Sequence, residues 1–174
     1  MIAAARSAED IAPVTTRQQI EALARLAAAI WNEHYVAIIG QAQVDYMLDR
    51  FQSPAAIASQ IDGGYEYYLA SVGGRPAGYI GLVPNEPEGK LLLSKIYVAR
   101  ETRGSGLGAR LLEHTFGRAA DIGVNSVWLT VNKYNARSIE WYKRRGFGVI
   151  DEVRTDIGNG FFMDDYVLER AVVA

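Results

Sequence analysis

No cysteine occurs anywhere in the 174 residues. That removes disulfides, thiolate metal ligands and a cysteine nucleophile together. Histidine is scarce too, with only His34 and His114 in the chain. A zinc site would have to draw on carboxylates, and no HExxH-like spacing exists. No metal is therefore expected. Charge of one sign is also lacking. Lys and Arg number 18 against 20 Asp and Glu, for a net charge of −2. That leaves no electrostatic footprint for nucleic acid. No run approaches the ~18 apolar residues of a membrane span. The N-terminal "MIAAARSAEDIAPV" has no apolar stretch long enough for a signal peptide. The expectation is a cytoplasmic protein with no nucleic-acid or membrane partner.

What is present suits a soluble globular domain, at 49% hydrophobic and 22% charged residues. The length favours one domain over residues 1–174. No repeat or linker interrupts it. "AEDIAPVTT" can hold a first strand. Thr16 and Gln19 have the spacing of a capping box, which predicts a helix over 17–34. Its apolar face carries Ile20, Leu23, Ala24, Ala27, Ile30 and Trp31. "GQAQVDYMLDRF" reads as a second helix, and Ser53 with Pro54 opens a third.

After Asp62 the period changes. "YEYYLASV" and "GGRPAGYIGLV" read as strands joined by a hairpin at Gly73 and Gly74. "KLLLSKIYV" is an apolar strand over 90–98. A glycine loop and a helix to about residue 122 follow it. "SVWLTVN" is a strand, and "NARSIEWYKRRG" a helix with cationic residues in its last turn. "VIDEVRTDI" and "MDDYVLERAV" close the chain as strands. The fold class is α+β. A mixed, mostly antiparallel sheet of about six to seven strands is flanked by helices, with parallel pairing expected around 90–155.

The densest signal is "VARETRGSGLGARLLEHTF", residues 98–116. Gly104, Gly106 and Gly108 alternate beside Arg103 at the mouth of a helix. A helix N-terminus offers unpaired N–H groups and partial positive charge, and glycine lets an anion approach closely. A pyrophosphate site is the reading, against a plain flexible turn. A Walker loop needs GxxxxGK[ST] and a dinucleotide turn needs GxGxxG directly after its strand. Neither spacing is met.

"RGSGLG" fits [QR]-x-x-G-x-[GA], and so resembles the pyrophosphate motif of the GCN5-related N-acetyltransferases. "NARSIEWYKRRGF" is similar to that family's next segment, and the order of elements matches along nearly the whole chain. "IWNEHYVAIIGQAQVDYML" and "GFFMDDYVLE" look similar to a bacterial subgroup that includes spermidine/spermine acetyltransferases.

The resemblance implies acetyl-CoA as co-substrate and an N-acetyltransferase that serves a small-molecule amine, a polyamine among the options. Acetylation of a protein amine and a silent acetyl-CoA sensor are the alternatives. It implies that Arg103, Gly104, Ser105, Gly106, Leu107 and Gly108 hold the pyrophosphate. Tyr97 and Val98 would pair with the pantetheine amides, and Asn135 would bond the same arm. Tyr142 would meet the sulfur as general acid. Helical spacing by itself reads Tyr142 as a core tyrosine beside Trp141. A homodimer is left open.

An alkylamine has a pKa near 10.4, so only about 0.04% is unprotonated at pH 7. Deprotonating the amine is the harder task, and many relatives place a glutamate base on the strand that here reads "LLLSKIYV". This strand carries Lys95 and no acid. Glu33, His34 and Glu66 are the candidate bases, with a water chain as a further route. A histidine at a helix end has an equally good structural reading. His114 reads as surface. Asp45, Asp49, Asp164 and Asp165 line an acidic cleft or are solvated surface. Trp31, Tyr35 and Tyr46 line an acceptor pocket or belong to the core. With no cysteine and no GxSxG elbow, direct transfer in a ternary complex is expected.

Overall fold

The computed structural model describes residues 9–173. The first strand was expected from residue 8, which lies outside them, as does most of the N-terminal segment read against a signal peptide. The order is β1 (Glu9–Pro13), α1 (Arg17–His34), α2 (Val36–Ile39), α3 (Gln41–Gln52), α4 (Pro54–Asp62), β2 (Glu66–Val72), β3 (Arg75–Pro84), β4 (Lys90–Val98), a 3₁₀ turn (Arg100–Thr102), α5 (Leu107–Asp121), β5 (Ser126–Asn132), α6 (Ala136–Arg144), β6 (Gly148–Gly158) and β7 (Phe161–Ala171). Among the described residues, no helix is long and apolar enough to cross a membrane.

Local chemistry sets several boundaries. The Thr16 side chain accepts from the Gln19 N–H, and the Gln19 side chain reaches back to the Thr16 backbone, so both halves of the capping box form. Ser53 caps α4 through the Ala56 N–H, with Pro54 in the first turn. Gly73 and Gly74 both take positive φ, 58° and 78°, in the β2–β3 hairpin. That is the pairing a two-residue primed turn demands.

The seven strands run β1-β2-β3-β4-β5-β7-β6. All neighbours are antiparallel except β4 and β5, which α5 connects and which pair parallel. One sheet face packs on α5 and α6 through Ile80, Leu82, Leu107, Leu111, Ile139 and Tyr142. The other packs on α1 and α4 through Tyr67, Tyr79, Leu23, Ala27 and Ile57. β3 lies between them and is buried on both faces from Ala77 to Leu82.

Two irregularities open the sheet. The β4–β5 ladder has only three pairs, ending at Leu92 and Trp128, although both strands continue. Beside that end, β3 pairs Gly81 with Lys95 but Leu82 with Leu93, so Ser94 is an extra residue in β4. A bulge of this kind raises local twist and reverses which residues face which side. Leu91 and Leu93 face the α5 core, as do Ile96 and Val98. Tyr97 faces the α1 side, and Lys95 reaches Gln60 of α4.

Candidate active site

Past Leu92 and Trp128 the two strands diverge around a cleft of about 560 Å³. Its walls are β4 from Leu93 to Val98, β5 from Leu129 to Asn132, and the facing ends of α1, α5 and α6. The β5 side of β4 is there an unpaired strand edge. An extended ligand can bond to it as another strand would.

The mouth is the glycine loop. Gly104 and Gly106 hold φ of 80° and 88°, and Gly106 is the N-cap of α5 with no side-chain cap. The first-turn N–H groups of α5 therefore have no intrahelical partner and face the cleft mouth. A Cβ on Gly104 would meet nothing within 4 Å, so the loop backbone is open to approach. At Gly108 a Cβ would lie 3.3 Å from the Trp141 ring, so this glycine serves the close packing of α5 on α6. Leu107 turns its side chain into the core. Ser105 does not line the cleft, and its hydroxyl donates to the Thr102 carbonyl at 2.5 Å.

Arg103 is engaged differently from expectation. Its guanidinium bonds Glu33 at 2.6 and 3.1 Å and the Val98 carbonyl at 3.2 Å. Arg103, Arg137 and Arg145 line the mouth, and the Arg145 guanidinium stacks 3.8 Å from the Trp141 ring centroid. An anionic head fits there.

At the inner end, Asn135 is 3% exposed and its Nδ2 donates to the Tyr35 hydroxyl at 3.4 Å. Tyr35, Tyr97 and Tyr142 converge nearby. Burial raises all three hydroxyls, Tyr35 to about 12 and Tyr97 and Tyr142 well above the ordinary tyrosine value. Each is a neutral O–H donor at pH 7.

His34 lines the cleft edge-on to Tyr35. Burial first, and then Arg103, lowers its imidazole below the usual range, against a hydrogen bond that the imidazole donates to Asn135. It is neutral at pH 7. Glu33 does not line the cleft. The Arg103 hydrogen bond holds its carboxyl low, with burial opposing. Glu66 is on β2 outside the cleft, bonded twice by Arg118 of α5 at 2.7 and 2.9 Å. His114 is half-buried against Tyr68, outside the cleft.

The four aspartates part company. Asp45 bonds Gln41 on an exposed face, Asp49 is exposed, and Asp164 pairs with Lys133 at 3.2 Å. Asp165 alone of these lines the cleft, at 5% exposure. Burial raises its carboxyl to about 6, opposed by a hydrogen bond to Thr130. Trp31 and Tyr35 line the cleft, stacked 4.4 Å apart. Tyr46 stands behind it, donating to the Ile157 carbonyl at 2.6 Å.

Lys95 is a charged residue of β4, the strand read as carrying no acid. It is 8% exposed, its ammonium donates to Gln60 and Tyr67, and burial lowers it to about 8. Asp165 was legible only as one of an adjacent pair. The signal that separates the two is strand alternation in "MDDYVLER", which turns one inward and the other outward.

The fold and the motif both have counterparts. The profile of the Acetyltransferase (GNAT) family matches residues 22–147, a span from within α1 to three residues past α6 that contains the glycine loop. An uncharacterised N-acetyltransferase of Mycobacterium tuberculosis is 35% identical over 100 residues, 58% of this chain and 63% of that one. The L-methionine sulfoximine/L-methionine sulfone acetyltransferase of Pseudomonas aeruginosa is 30% identical over 122 residues, 70% of this chain and 66% of that one. The chain thus spans less than two thirds of the length of these relatives. Among solved structures, the PaiA N-acetyltransferase of Thermoplasma acidophilum in complex with coenzyme A superimposes with a TM-score of 0.77 at 20% identity, over 94% of this chain and 99% of that one. A divided β4–β5 ladder, an uncapped glycine-led helix at its mouth and a profile match over most of the length converge on one assignment: this chain belongs to the GNAT family of acetyltransferases.

Proposed function

We propose that the protein transfers an acetyl group from acetyl-CoA to a primary amine of a small molecule, by direct attack in a ternary complex. The observation that carries this reading is the opening between β4 and β5, with the uncapped N-terminus of α5 at its mouth. When bound, acetyl-CoA supplies an activated acetyl thioester. The backbone N–H groups from Gly104 to Gly108, with Arg137 and Arg145 beside them, would hold its pyrophosphate. The free edge of β4 at Tyr97 and Val98, with the Asn135 side chain across from it, would align the extended arm. The Tyr142 hydroxyl, kept neutral by burial, would give a proton to the departing sulfur. The Pseudomonas relative, named for amino-acid derivatives, supports a small acceptor over a peptide. A cytoplasmic location belongs to the same reading.

The test is a panel of primary amines and lysine-containing peptides incubated with acetyl-CoA, with free CoA followed over time. Small amines should release CoA faster than peptides. A protein that binds CoA but turns over none of them would be a sensor instead.

A further inference from the structure

Among the described residues that line the cleft, Asp165 is the one carboxylate. The cations that line it are engaged or remote. Lys95 is held by Gln60 and Tyr67, Arg103 by Glu33, and Arg145 by the Trp141 ring, while Arg137 belongs to the first turn of α6 at the mouth. Asp165 and Met163 are two residues apart on β7 and share a face. Met163 packs on a cluster built from Trp31, Val44, Met47 and Ile157, with Tyr35 and Ile39 at its margin. One buried anion therefore stands at the edge of an aromatic and thioether wall.

We propose that Asp165 receives the ammonium of a primary monoamine whose apolar body lies against Trp31, Tyr35, Met47 and Met163, and that it takes the first proton from that nitrogen. This rests on the acetyl-transfer reading and adds the base and the acceptor class to it. A second ammonium, as in a polyamine, finds no second carboxylate in the cleft. A substrate carboxylate, as in an amino acid, finds no uncommitted cation beside Asp165.

The step balances. The ammonium gives one proton to Asp165, and the freed lone pair forms the N–C bond to the acetyl carbon as the C–S bond breaks. The Tyr142 hydroxyl protonates the sulfur, and the second proton from nitrogen restores Tyr142. Asp165 returns its proton to solvent. The groups around this end are Asp164 on β7, Lys133 after β5, Thr130 on β5, His34 and Tyr35 at the end of α1, Tyr97 on β4 and Tyr142 on α6. β6 places Val153 opposite Asp165.

The test compares wild type with Asp165→Asn, an isosteric change, at saturating acetyl-CoA. The probes are 2-phenylethylamine, spermidine and L-methionine sulfone. For wild type, kcat/KM for 2-phenylethylamine should rise through a limb near pH 6 and then stay level to the amine's own pKa. The variant should lose that limb and climb about tenfold per pH unit up to the amine's pKa, because only free amine then reacts. At pH 7 the loss should be on the order of 10²–10⁴-fold. Calorimetry of 2-phenylethylamine into the CoA-saturated protein should show at least tenfold weaker binding for the variant, with CoA affinity kept as the control for folding. A variant that keeps the limb and the plateau overturns the role of Asp165, with acetyl transfer intact. A preference for spermidine or L-methionine sulfone overturns the monoamine class. Wild type that acetylates no amine removes this inference and the acetyl-transfer reading together.

Discussion

The Arg103 guanidinium clasps the Glu33 carboxylate with two bonds of 2.6 and 3.1 Å, joining the glycine loop to the last turn of α1. About a third of each side chain is exposed, so water screens the pair. An exposed pair of this kind contributes roughly 0.2–1 kcal/mol. The held-down Glu33 carboxyl gives a stability increment that is present above its unfolded pKa and lost as pH falls through its lower folded value.

Glu33→Gln should therefore cost little stability and should leave the acid limb of the pH profile in place. Its main effect should be on the KM for acetyl-CoA, since Arg103 is released at the mouth. Steady-state kinetics from pH 5 to pH 9 would check this. A collapse of kcat by 100-fold with the limb removed would reinstate Glu33 as the base.

Gly106→Val addresses the mouth. The φ of 88° strains any L residue, at about 1–2 kcal/mol. The new Cβ meets only the end of the Arg110 side chain, at 3.0 Å, so the fold should survive. The added bulk stands where a pyrophosphate must approach the α5 N–H groups. Calorimetry should show CoA affinity reduced by two orders of magnitude or more, with the circular dichroism spectrum unchanged. Wild-type affinity in the folded variant would mean that the pyrophosphate binds elsewhere.

Much of this fold is legible in the sequence, and the physical reason is locality. The capping box at Thr16 and Gln19, the Ser53–Pro54 start and the Gly73–Gly74 turn are each decided by neighbours within a few residues. The seven-stranded mixed sheet follows from them and from the alternation of the strands. The short helix Val36–Ile39 escapes notice because one turn carries no period. Long-range facts escape too. Nothing near Glu33 announces a partner 70 residues away. The Ser94 bulge is invisible in "LLLSKIYV", yet it decides that Tyr97 faces the α1 side. Asp164 and Asp165 are chemically identical and adjacent. Strand alternation sets them on opposite faces, and only the tertiary packing of β7 says which of the two is buried.

Tyr142→Phe removes a proton donor and almost no volume. The side chain is 8% exposed and edge-on to Phe147, so the ring packing should persist. We expect kcat to fall toward the low end of the range for a general acid, about 10²-fold, because a thiolate is already a fair leaving group. The KM for acetyl-CoA should change much less, since the interaction is made mainly in the transition state. An affinity loss with unchanged kcat would make Tyr142 a binding residue.

Asp165 also ties function to stability. Its carboxyl has an ordinary value of 3.8 and stands near 6 in the folded protein, because burial disfavours its charge. A raised carboxyl contributes stability that is fully present below pH 3.8 and is lost as pH rises through 6. Above that pH the native state holds a buried anion. The difference of about two pKa units corresponds to roughly 3 kcal/mol as an upper bound. Asp165→Asn carries no such charge. Its melting temperature should exceed that of wild type at pH 7.5 by several degrees, at about 2–4 °C per kcal/mol for a chain of this size. At pH 4.5 the gap should shrink to about a third, roughly 1 kcal/mol, because the folded carboxyl is then protonated while the unfolded one is already mostly ionised. Calorimetric scans at both pH values would measure the gap. If it fails to widen with pH, the carboxylate is better solvated than its 5% exposure implies, and its proton is held too weakly in the cleft to shape the rate near pH 6. If it widens while activity disappears, the residue that destabilises the fold at neutral pH is the one on which turnover depends.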